Sequence, residues 1–420
     1  MRIRKAIFAW PVIAAMLLTG CGGSAGNGQG SGSGDALDFS TASGDAGQDM
    51  IVSVGDEADK DVLNQIVTDF KKVNPDFPYT VKAEVISESD ASNQVLGNIN
   101  SAPDIFAFAD DQLNALTASG ILQPITDSTV KSENLDAAVD AASIDGKLYA
   151  YPMTADNGYF LYYNKKYFKD SDLSTMDGIL SVASKNGKKV TMDIGGGWYM
   201  FSFFGNTGLK LSLADDGLTN VCDWNSTKNK IKGIDVAKAM SAIASNSGFK
   251  AGGDDVLKAG AADGSVIAGV SGVWLSTDMK NAWGDDMGAV KLPTYTVDGK
   301  QVQMSSYAGY IMLGVNGFSA KADWANKLAA YMTNEESQTL RFEKRGQGPS
   351  NKKAAESDEV KASPAIQALL AQSDFASLQR VGQKFWDASS SFGSDITSGV
   401  TITQKRMDTL VKQITAPVTE

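Results

Sequence analysis

The stretch Ala102-Pro103-Asp104-Ile105-Phe106-Ala107-Phe108-Ala109-Asp110-Asp111 gives the first strong indication of the fold. Its apolar part, residues 105–108, is short and uninterrupted, which is typical of a strand buried in a sheet. Asp110-Asp111 ends the apolar run and supplies two carboxyl groups at that point. We therefore predict a buried strand here, with polar side chains directly after it.

The segments on either side of this strand alternate between strand and helix patterns. Apolar residues at helical spacing predict a helix over 61–73, which Asn74-Pro75 ends. Gly120 ends a second helix, over 112–119. The same reading predicts strands at 50–54 and 79–85 and a helix at 90–99. Strands that alternate with helices predict an α/β architecture with mainly parallel sheets.

A second unit of the same kind begins near Tyr159. Gly195-Gly196-Gly197 opens a loop that leads into the aromatic segment 198–204. Residues 363–414 are predicted to be helical, with interruptions around 389–393. The remaining predictions are strands at 159–163, 190–192, 265–270, 289–292 and 310–315, and helices at 234–245 and 324–332.

Composition places the chain among globular proteins. It has 420 residues, 43% apolar and 21% charged, which fits roughly two or three folding units. The net charge of −11 becomes −14 once Arg2, Arg4 and Lys5 are removed with an N-terminal signal. Such an acidic body argues against nucleic acid or anionic lipid as the main partner.

The chain has no His and two Cys. The lack of His excludes Ser-His-Asp and Cys-His catalysis and His-ligated zinc. Cys21 lies in the N-terminal segment, so Cys222 is alone in the body and is expected to behave as a small buried apolar residue. No D-x-[DN]-x-[DN]-G calcium loop occurs. We expect no metal and no cofactor.

The N-terminus has the features of an export signal. Basic residues precede an apolar run, residues 6–18, which is too short for a bilayer span of about 20 residues. The following Leu18-Thr19-Gly20-Cys21 resembles the lipobox of bacterial lipoproteins. This resemblance implies a signal peptide at 1–20 and acylation of Cys21, with palmitate among the acyl chains. The Gly/Ser-rich segment 21–48 is predicted to be a flexible tether.

An ordered set of motifs across about residues 50–400 resembles the carbohydrate branch of the solute-binding proteins of ABC importers, typified by the maltose/maltodextrin-binding proteins. The motifs are Pro103-Asp104-Ile105-Phe106-Ala107-Phe108-Ala109-Asp110-Asp111, Leu116-Thr117-Ala118-Ser119-Gly120-Ile121-Leu122, Asp145-Gly146-Lys147-Leu148-Tyr149-Ala150-Tyr151-Pro152, Leu161-Tyr162-Tyr163-Asn164-Lys165, Gly269-Val270-Ser271-Gly272-Val273-Trp274, Leu292-Pro293-Thr294, Tyr307-Ala308-Gly309-Tyr310, Gly346-Gln347-Gly348-Pro349-Ser350-Asn351-Lys352-Lys353 and Phe385-Trp386.

The resemblance implies an α/β fold of two lobes with a hinge and an inter-lobe ligand cleft. Lobe I would comprise 49–155 and 313–355, and lobe II would comprise 159–306 and 358–420. The hinge crossings would be 156–158 and 307–312. Closure of the lobes on a sugar by hinge motion would then present it to the importer.

Sugars need aromatic platforms for their C–H faces and polar groups for their hydroxyls. By the resemblance, Trp274, Trp386 and Phe108 stand where the family has stacking aromatics. Trp198 or Tyr199 falls where the family has a further aromatic.

Polar groups of a sugar site are implied in the same way. Asp111 matches a family Asp that accepts sugar hydroxyls, and Gln112 replaces the family's neighbouring Arg. Asp156 or Asn157 lies near a family Glu. The loop residues Glu57, Asp59 and Lys60 lie where the family has an Asp-Lys pair.

We therefore expect a non-catalytic lipoprotein that binds an oligosaccharide, foremost a maltose/maltodextrin-type α-glucoside, and delivers it to the permease of an ABC importer. The body is expected to be monomeric and lipid-anchored on the extracellular face of a Gram-positive membrane. A galactoside, fructoside or xylo-oligosaccharide is an alternative ligand.

A surface glycosidase or an adhesin is the alternative of another class. For a glycosidase, Asp110 and Asp111 are adjacent, so on a strand they would point to opposite faces rather than toward each other. No G-x-S-x-G motif occurs.

Overall fold

The computed structural model describes residues 49–417. The predicted signal peptide, Cys21 and the tether lie outside the described residues. Within them, a five-stranded sheet forms the first lobe, in the order Thr80–Val85, Asp49–Val54, Ile105–Ala109, Ile311–Val315 and Tyr151–Thr154. The first three strands are parallel, and Ile311–Val315 runs antiparallel to both of its neighbours.

A second five-stranded sheet forms the second lobe, in the order Phe249–Ala251, Lys189–Met192, Val266–Ser271, Phe160–Asn164 and Met287–Val290. Here too the first three strands are parallel, and Phe160–Asn164 is antiparallel to both neighbours. The sheets are therefore mixed rather than mainly parallel. The antiparallel strands Phe160–Asn164 and Ile311–Val315 directly follow crossings between the lobes, and each enters its sheet from the hinge end.

Helices cover the faces of both sheets. Those of the first lobe are Asp59–Val73, Ala91–Gly97, Leu113–Ala118, Ser128–Glu133, Asp136–Ala141, Ala322–Met332, Glu335–Arg345 and Lys352–Ala355. Those of the second lobe are Met176–Lys185, Gly197–Phe204, Gly233–Ala244, Asp254–Asp263, Ser276–Trp283, Asp358–Ala362, Pro364–Ser373, Lys384–Thr397 and Gln404–Ile414.

Short elements complete the described chain. Four two-stranded sheets pair Leu211–Leu213 with Asn220–Cys222, Thr294–Val297 with Lys300–Gln303, Ser306–Ala308 with Ala376–Leu378, and Ser143–Ile144 with Lys147–Leu148. Single 3-10 turns lie at Ile99–Ser101, Asp110–Gln112, Asp170–Ser174, Val273–Leu275 and Gly284–Asp286.

Each lobe has its own apolar core. In the first lobe Phe106 and Phe108 pack with Ile66 and Leu328, all nearly without exposure. In the second lobe the two faces of the sheet carry separate clusters, one around Trp224 and Phe204 and one around Tyr162 and Val266. Cys222 packs partly buried against the first of these clusters, and burial raises the pKa of its thiol to about 12.

Three segments connect the lobes, and the first two of them hydrogen-bond to each other. The amide of Ala155 donates to the carbonyl of Gly348 at 2.9 Å, and the amide of Asn157 donates to the carbonyl of Gly309 at 3.2 Å. The returning strand of the first sheet is Ile311–Val315, so it begins directly after Gly309 and Tyr310. The crossings thus lie side by side behind the space between the lobes.

The predicted interruption at 389–393 is wrong, because the helix Lys384–Thr397 runs through it. The Ser389 hydroxyl bonds back to the carbonyls of Phe385 and Trp386, which keeps it within the helix. At Gly393 an added Cβ would lie 1.8 Å from the carbonyl oxygen of Gly195. These small residues permit close packing against the start of another helix and do not end their own.

Within residues 49–417, no helix combines the length and apolar character needed to span a bilayer.

Candidate ligand-binding cleft

A cavity of about 770 Å³ opens between the two lobes, in front of the crossing segments. Its walls come from the first lobe near Asp111, from the crossing at Asp156 and Asn157, and from the second lobe near Trp198 and Trp274. Small-molecule sites in proteins commonly measure about 300–1,000 Å³. The cavity therefore has the size of a site for a ligand of several sugar rings or similar bulk.

An aromatic wall of Trp198, Tyr199 and Trp274 lines the second-lobe side of this cleft. The ring centroids of Trp198 and Trp274 are 5.7 Å apart at an interplanar angle of 35°, and those of Trp198 and Tyr199 are 5.1 Å apart. Trp198 also packs edge-on against buried Tyr159 at 4.6 Å. The wall is thus held from behind while Trp198 and Trp274 stay partly exposed.

The wall depends on close packing at Gly197, the first residue of the helix Gly197–Phe204. A Cβ at Gly197 would lie 2.2 Å from the Ser389 hydroxyl oxygen on the helix Lys384–Thr397. The two helices can therefore approach closely only because this position has no side chain. Trp198 follows directly and faces the cleft.

Asp254 fixes the orientation of Trp274, and sequence reasoning did not find it. Its Oδ2 accepts the indole N–H of Trp274 at 2.7 Å, and its Oδ1 accepts the Ser271 hydroxyl at 2.7 Å. Asp254 is also the first residue of the helix Asp254–Asp263, where the helix dipole favours a carboxylate. Its adjacent Gly252-Gly253 and the acidic start of a helix were the available sequence signal.

Trp386 lies on a separate part of the cleft wall, near the start of the helix Lys384–Thr397. Its ring packs against Phe385 at 4.9 Å and Tyr307 at 6.4 Å. The turn of the hairpin 211–222 approaches the same region, since a Cβ at Gly382 would lie 1.9 Å from the carbonyl oxygen of Leu218. Leu218, which is half-exposed, and Trp386, which is partly buried, therefore border one end of the cleft.

Asp110 and Asp111 lie in the 3-10 turn that follows the strand Ile105–Ala109, and their environments differ. Asp110 is fully buried and accepts Arg380 at 2.7 Å, whereas Asp111 lines the cleft. Burial raises the pKa of the Asp111 carboxyl to about 7, since the nearby Gln379 side chain and the positive charge of Arg380 offset it only in part. The Oδ1 atom of Asp111 is buried and makes no hydrogen bond within residues 49–417.

The crossing residues Asp156 and Asn157 both line the cleft. Asp156 is 4% exposed, and its carboxylate accepts the amide of Gly348, which precedes the first-lobe helix Lys352–Ala355. Burial raises the pKa of this carboxyl to about 6. Asp156 thus links the cleft to the connection between the lobes.

Of the three charged residues predicted near the first strand, one lies in the cleft. Asp59 is 4% exposed, lines the cleft and accepts Arg345 Nε at 3.0 Å. Glu57 and Lys60 pair with each other at 2.8 Å at the protein surface and do not line the cleft. Asp59 is the first residue of the helix Asp59–Val73, and successive residues of a helix project in different directions. Glu57 and Lys60 therefore point away from the cleft.

Phe108 also lies elsewhere than expected. It is fully buried in the core of the first lobe, where its ring is 5.8 Å from that of Phe106. The strand Ile105–Ala109 is central in its sheet and covered on both faces, and only its last residue, Ala109, lines the cleft. This position corrects the expectation of a stacking role for Phe108.

Glu88 and Asp193 also line the cleft, and they were not among the residues predicted from the sequence. The carboxyl of Glu88 follows the strand Thr80–Val85 by three residues, and Asp193 follows Lys189–Met192 directly. Both strands end at the cleft, and ligands of α/β proteins bind outside the carboxyl ends of parallel strands. The acidic residue that follows each strand was therefore the available signal. Among the described residues, no three His, Cys, Asp or Glu side chains converge as metal ligands do.

Two lobes, a cleft between them and three connecting segments define the class of two-lobed ligand-binding proteins. The model of the bacterial extracellular solute-binding protein family matches residues 65–368, and the chain belongs to that family. The family and the fold expected from the sequence are thereby confirmed.

Several relatives are known by sequence or structure. The galactooligosaccharide-binding protein of Bacillus subtilis (strain 168) is 26% identical over 325 residues, which cover 71% of this chain and 73% of the relative. A structure solved with acarbose is 28% identical, with a TM-score of 0.76, and the match covers 87% of this chain and 98% of the other.

A further structure resembles this chain in fold. The maltose/maltodextrin-binding domain from Bdellovibrio bacteriovorus bound to maltotriose is 20% identical, with a TM-score of 0.73 over 87% of this chain and 98% of that domain.

Proposed function

We propose that this protein binds an oligosaccharide in the inter-lobe cleft and delivers it to an ABC importer. The observation that carries the proposal is the juxtaposition of Trp198, Trp274 and Trp386 with carboxyl groups in a cavity of about 770 Å³. Indole faces stack on the C–H faces of sugar rings, and carboxylates accept their hydroxyls. The cavity has room for several rings.

The ligand that we propose first is a maltodextrin-type α-glucoside. The relative solved with acarbose supports it, since acarbose is an α-glucan analogue. A galacto-oligosaccharide is the second candidate, because the Bacillus subtilis relative is a galactooligosaccharide-binding protein. In both cases Trp274 and Trp386 would stack on rings and Asp111 would accept a hydroxyl.

Delivery would follow from closure of the lobes. We propose that lobe I comprises 49–155 and 313–355, that lobe II comprises 159–306 and 358–420, and that they rotate about 156–158 and 307–312. Asp156 supports this proposal, since it belongs to the crossing 156–158, lines the cleft and accepts the amide of Gly348 in lobe I. A ligand that bonds Asp156 would thereby favour one arrangement of the crossings.

We further propose that the protein is a monomeric lipoprotein, acylated at Cys21 and held on the outer face of the cell membrane by its tether. The family is extracellular, which agrees with export. We also propose that it has no enzymatic activity. Asp110, the neighbour of Asp111, is paired with Arg380 and buried away from the cleft, so the two carboxyls do not face each other across a substrate.

Calorimetry of the purified protein tests the proposal with maltose, maltotriose, longer maltodextrins, galacto-oligosaccharides, raffinose and xylobiose. We expect binding of one of the first four with a dissociation constant of about 1 μM or lower, a free energy near −8 kcal/mol. Trp274→Ala should abolish that signal. Trp324→Ala should keep it, because Trp324 is partly buried against the core of the first lobe and does not line the cleft. Silence with every sugar would refute an oligosaccharide ligand.

A further inference from the structure

The charges in the cleft are of one sign. Seven of the residues that line it carry a carboxyl group, and none of them is Lys or Arg. The acids come from both lobes and from a crossing segment, so they surround a bound ligand. Amide side chains such as Gln112, Asn157 and Gln379 also line the cleft and can donate to a sugar, but every charged group of the lining is an acid.

Two of these carboxyls, Asp56 and Asp59, share a single cation. Arg345 donates to Asp56 at 2.5 Å and to Asp59 at 3.0 Å. The other five, Glu88, Asp111, Asp156, Asp193 and Asp254, have no Lys or Arg nitrogen within 4.0 Å in the part of the chain that the structure describes. The cleft thus holds several acids without a direct counter-ion.

Two further cations, Arg341 and Arg380, act on these carboxyls but do not line the cleft. Arg341 is 5% exposed and acts on Glu88, Asp59 and Asp156 only at longer range. Arg380 forms an ion pair with buried Asp110, and it acts on Asp111 only by longer-range electrostatic attraction. In the second lobe, burial raises the pKa of the Asp193 carboxyl, and the negative charge of Asp254 raises it further. A ligand in the cleft therefore meets a net negative field, which low-dielectric walls strengthen.

A second observation points to a donor on the ligand. Asp111 Oδ1 is buried, lines the cleft and has no hydrogen-bond partner within residues 49–417. An ionised carboxylate can only accept, so the group that satisfies it must donate. A protonated amine is the strongest such donor, because the hydrogen bond is charge-assisted on both sides.

We infer that the cleft selects oligosaccharides that carry a protonated amine, over neutral analogues of the same length, and rejects anionic ones. This inference rests on the proposed function. An amine on a ring or between rings would replace the counter-ion that the five unpaired carboxyls lack. A uronic acid or sugar phosphate would place a like charge among them and meet no Arg or Lys on the wall.

The state of the carboxyls supports this selectivity. Burial raises the pKa of both Glu88 and Asp111 to about 7 and that of Asp156 to about 6. A cationic ligand would favour the ionised forms, so its binding would release protons near neutral pH. A neutral ligand would favour the ionised forms less, because it offers hydroxyl hydrogen bonds and no positive charge.

The experiment compares three ligands by calorimetry with the full-length protein: maltotetraose, acarbose, which has a secondary amine between two of its rings, and maltotetraose oxidised to a uronic acid at one C6. We expect acarbose to bind at least about tenfold more tightly than maltotetraose at about 0.01 M salt, and the preference to shrink at about 1 M salt, where the Debye length is about 3 Å. The oxidised sugar should bind at least about tenfold more weakly.

Variants separate charge from shape. Asp111→Asn and Asp193→Asn keep the side-chain size, and at least one of them should reduce the acarbose preference by about threefold or more. Asp255→Asn is the matched control, because Asp255 adjoins Asp254 on the same helix but is exposed and pairs with Lys258, so the preference should not change.

Two results would overturn the inference. Equal affinity for acarbose and maltotetraose, or a preference unaffected by salt and by both variants, would refute charge selection while leaving the proposed oligosaccharide function intact. Absence of binding by all three ligands would refute the maltodextrin assignment, and the inference with it.

Discussion

Asp254 accepts the indole N–H of Trp274 at 2.7 Å, although it contributes no ring to the aromatic wall. The same carboxylate accepts the Ser271 hydroxyl at the end of the strand Val266–Ser271. One acidic residue at a helix start thus links a strand end to an aromatic side chain of the cleft. The direction of the Trp274 ring depends on this link, so Asp254 is a positioning residue for ligand binding.

Removal of this positioning residue should weaken ligand binding. Asp254→Ala deletes the acceptor for Trp274, and a hydrogen bond to a charged group contributes about 1.5–3 kcal/mol. We expect about a tenfold or greater loss of affinity, measured by titration calorimetry. Asp255→Ala, the exposed neighbour, should leave affinity unchanged. Equal losses in both variants would contradict a specific role for Asp254.

Substitutions of the adjacent residues Phe385 and Trp386 should have different effects, the first on the free energy of unfolding and the second on ligand affinity. Phe385 is fully buried, so Phe385→Ala should lower the free energy of unfolding by about 3–5 kcal/mol. Trp386 is half-buried and lines the cleft, so Trp386→Ala should mainly reduce ligand affinity, by about tenfold. Urea denaturation and calorimetry on each variant give both quantities. A large stability loss with unchanged affinity in Trp386→Ala would assign Trp386 to the core alone.

The close contact between Gly393 and Gly195 should make Gly393 intolerant of a side chain. An added Cβ would lie 1.8 Å from the Gly195 carbonyl oxygen, so Gly393→Ala should destabilise the protein by about 1–3 kcal/mol despite the better helix propensity of Ala. Gly97→Ala is the control, since nothing lies within 4 Å of its Cβ position in the helix Ala91–Gly97. Thermal denaturation should show a lower midpoint only for Gly393→Ala.

Carboxyls with raised pKa values predict how stability depends on pH. Glu88 and Asp111 have folded-state pKa values of about 7, against about 4 in an unfolded chain. Between these values the folded state holds more protons, so the stability contribution is fully present below about pH 4 and is lost as pH rises through about 7. The ligand-free protein should therefore lose about 1–3 kcal/mol per group between about pH 5 and pH 8.

The control for this pH dependence is Asp111→Asn, which cannot titrate. Its free energy of unfolding, from urea titrations at several pH values, should fall less steeply from pH 5 to pH 8 than that of the unmodified protein. Asp255→Asn should keep the original slope, because Asp255 is exposed and pairs with Lys258 at the surface. Parallel curves for all three proteins would show that Asp111 is not the group responsible.

Much of the fold could be predicted from the sequence, because burial leaves a local pattern. The helix predicted over 61–73 is Asp59–Val73, and the strand predicted over 105–108 is Ile105–Ala109. The C-terminal helix at 389–393 was misjudged, since Ser and Gly usually weaken helices. There the reason for small residues is a contact with Gly195, nearly 200 positions earlier, which no local pattern reveals.

The candidate site was only partly predictable for the same reason. Trp198, Trp274 and Asp111 could be nominated from residue type and resemblance, and the structure places all three at the cleft. Glu57, Lys60 and Phe108 had equally suitable chemistry, but helix direction and sheet coverage turn them away from it. Glu88, Asp193 and Asp254 were missed because only the meeting of the strand ends shows where they point.

By itself, the sequence determined the alternating strands and helices, since hydrophobic periodicity records which faces are buried, and it determined the supply of aromatic and acidic side chains. The two lobes were implied by the resemblance to a known family. The tertiary structure alone decided which acids face the ligand and which are neutralised. Arg345 pairs with Asp59 across 286 positions, and Arg380 pairs with Asp110 across 270. Such contacts depend on how distant segments pack, and Coulomb energies depend on the resulting distances and burial. The net negative cleft is therefore a property of the folded chain.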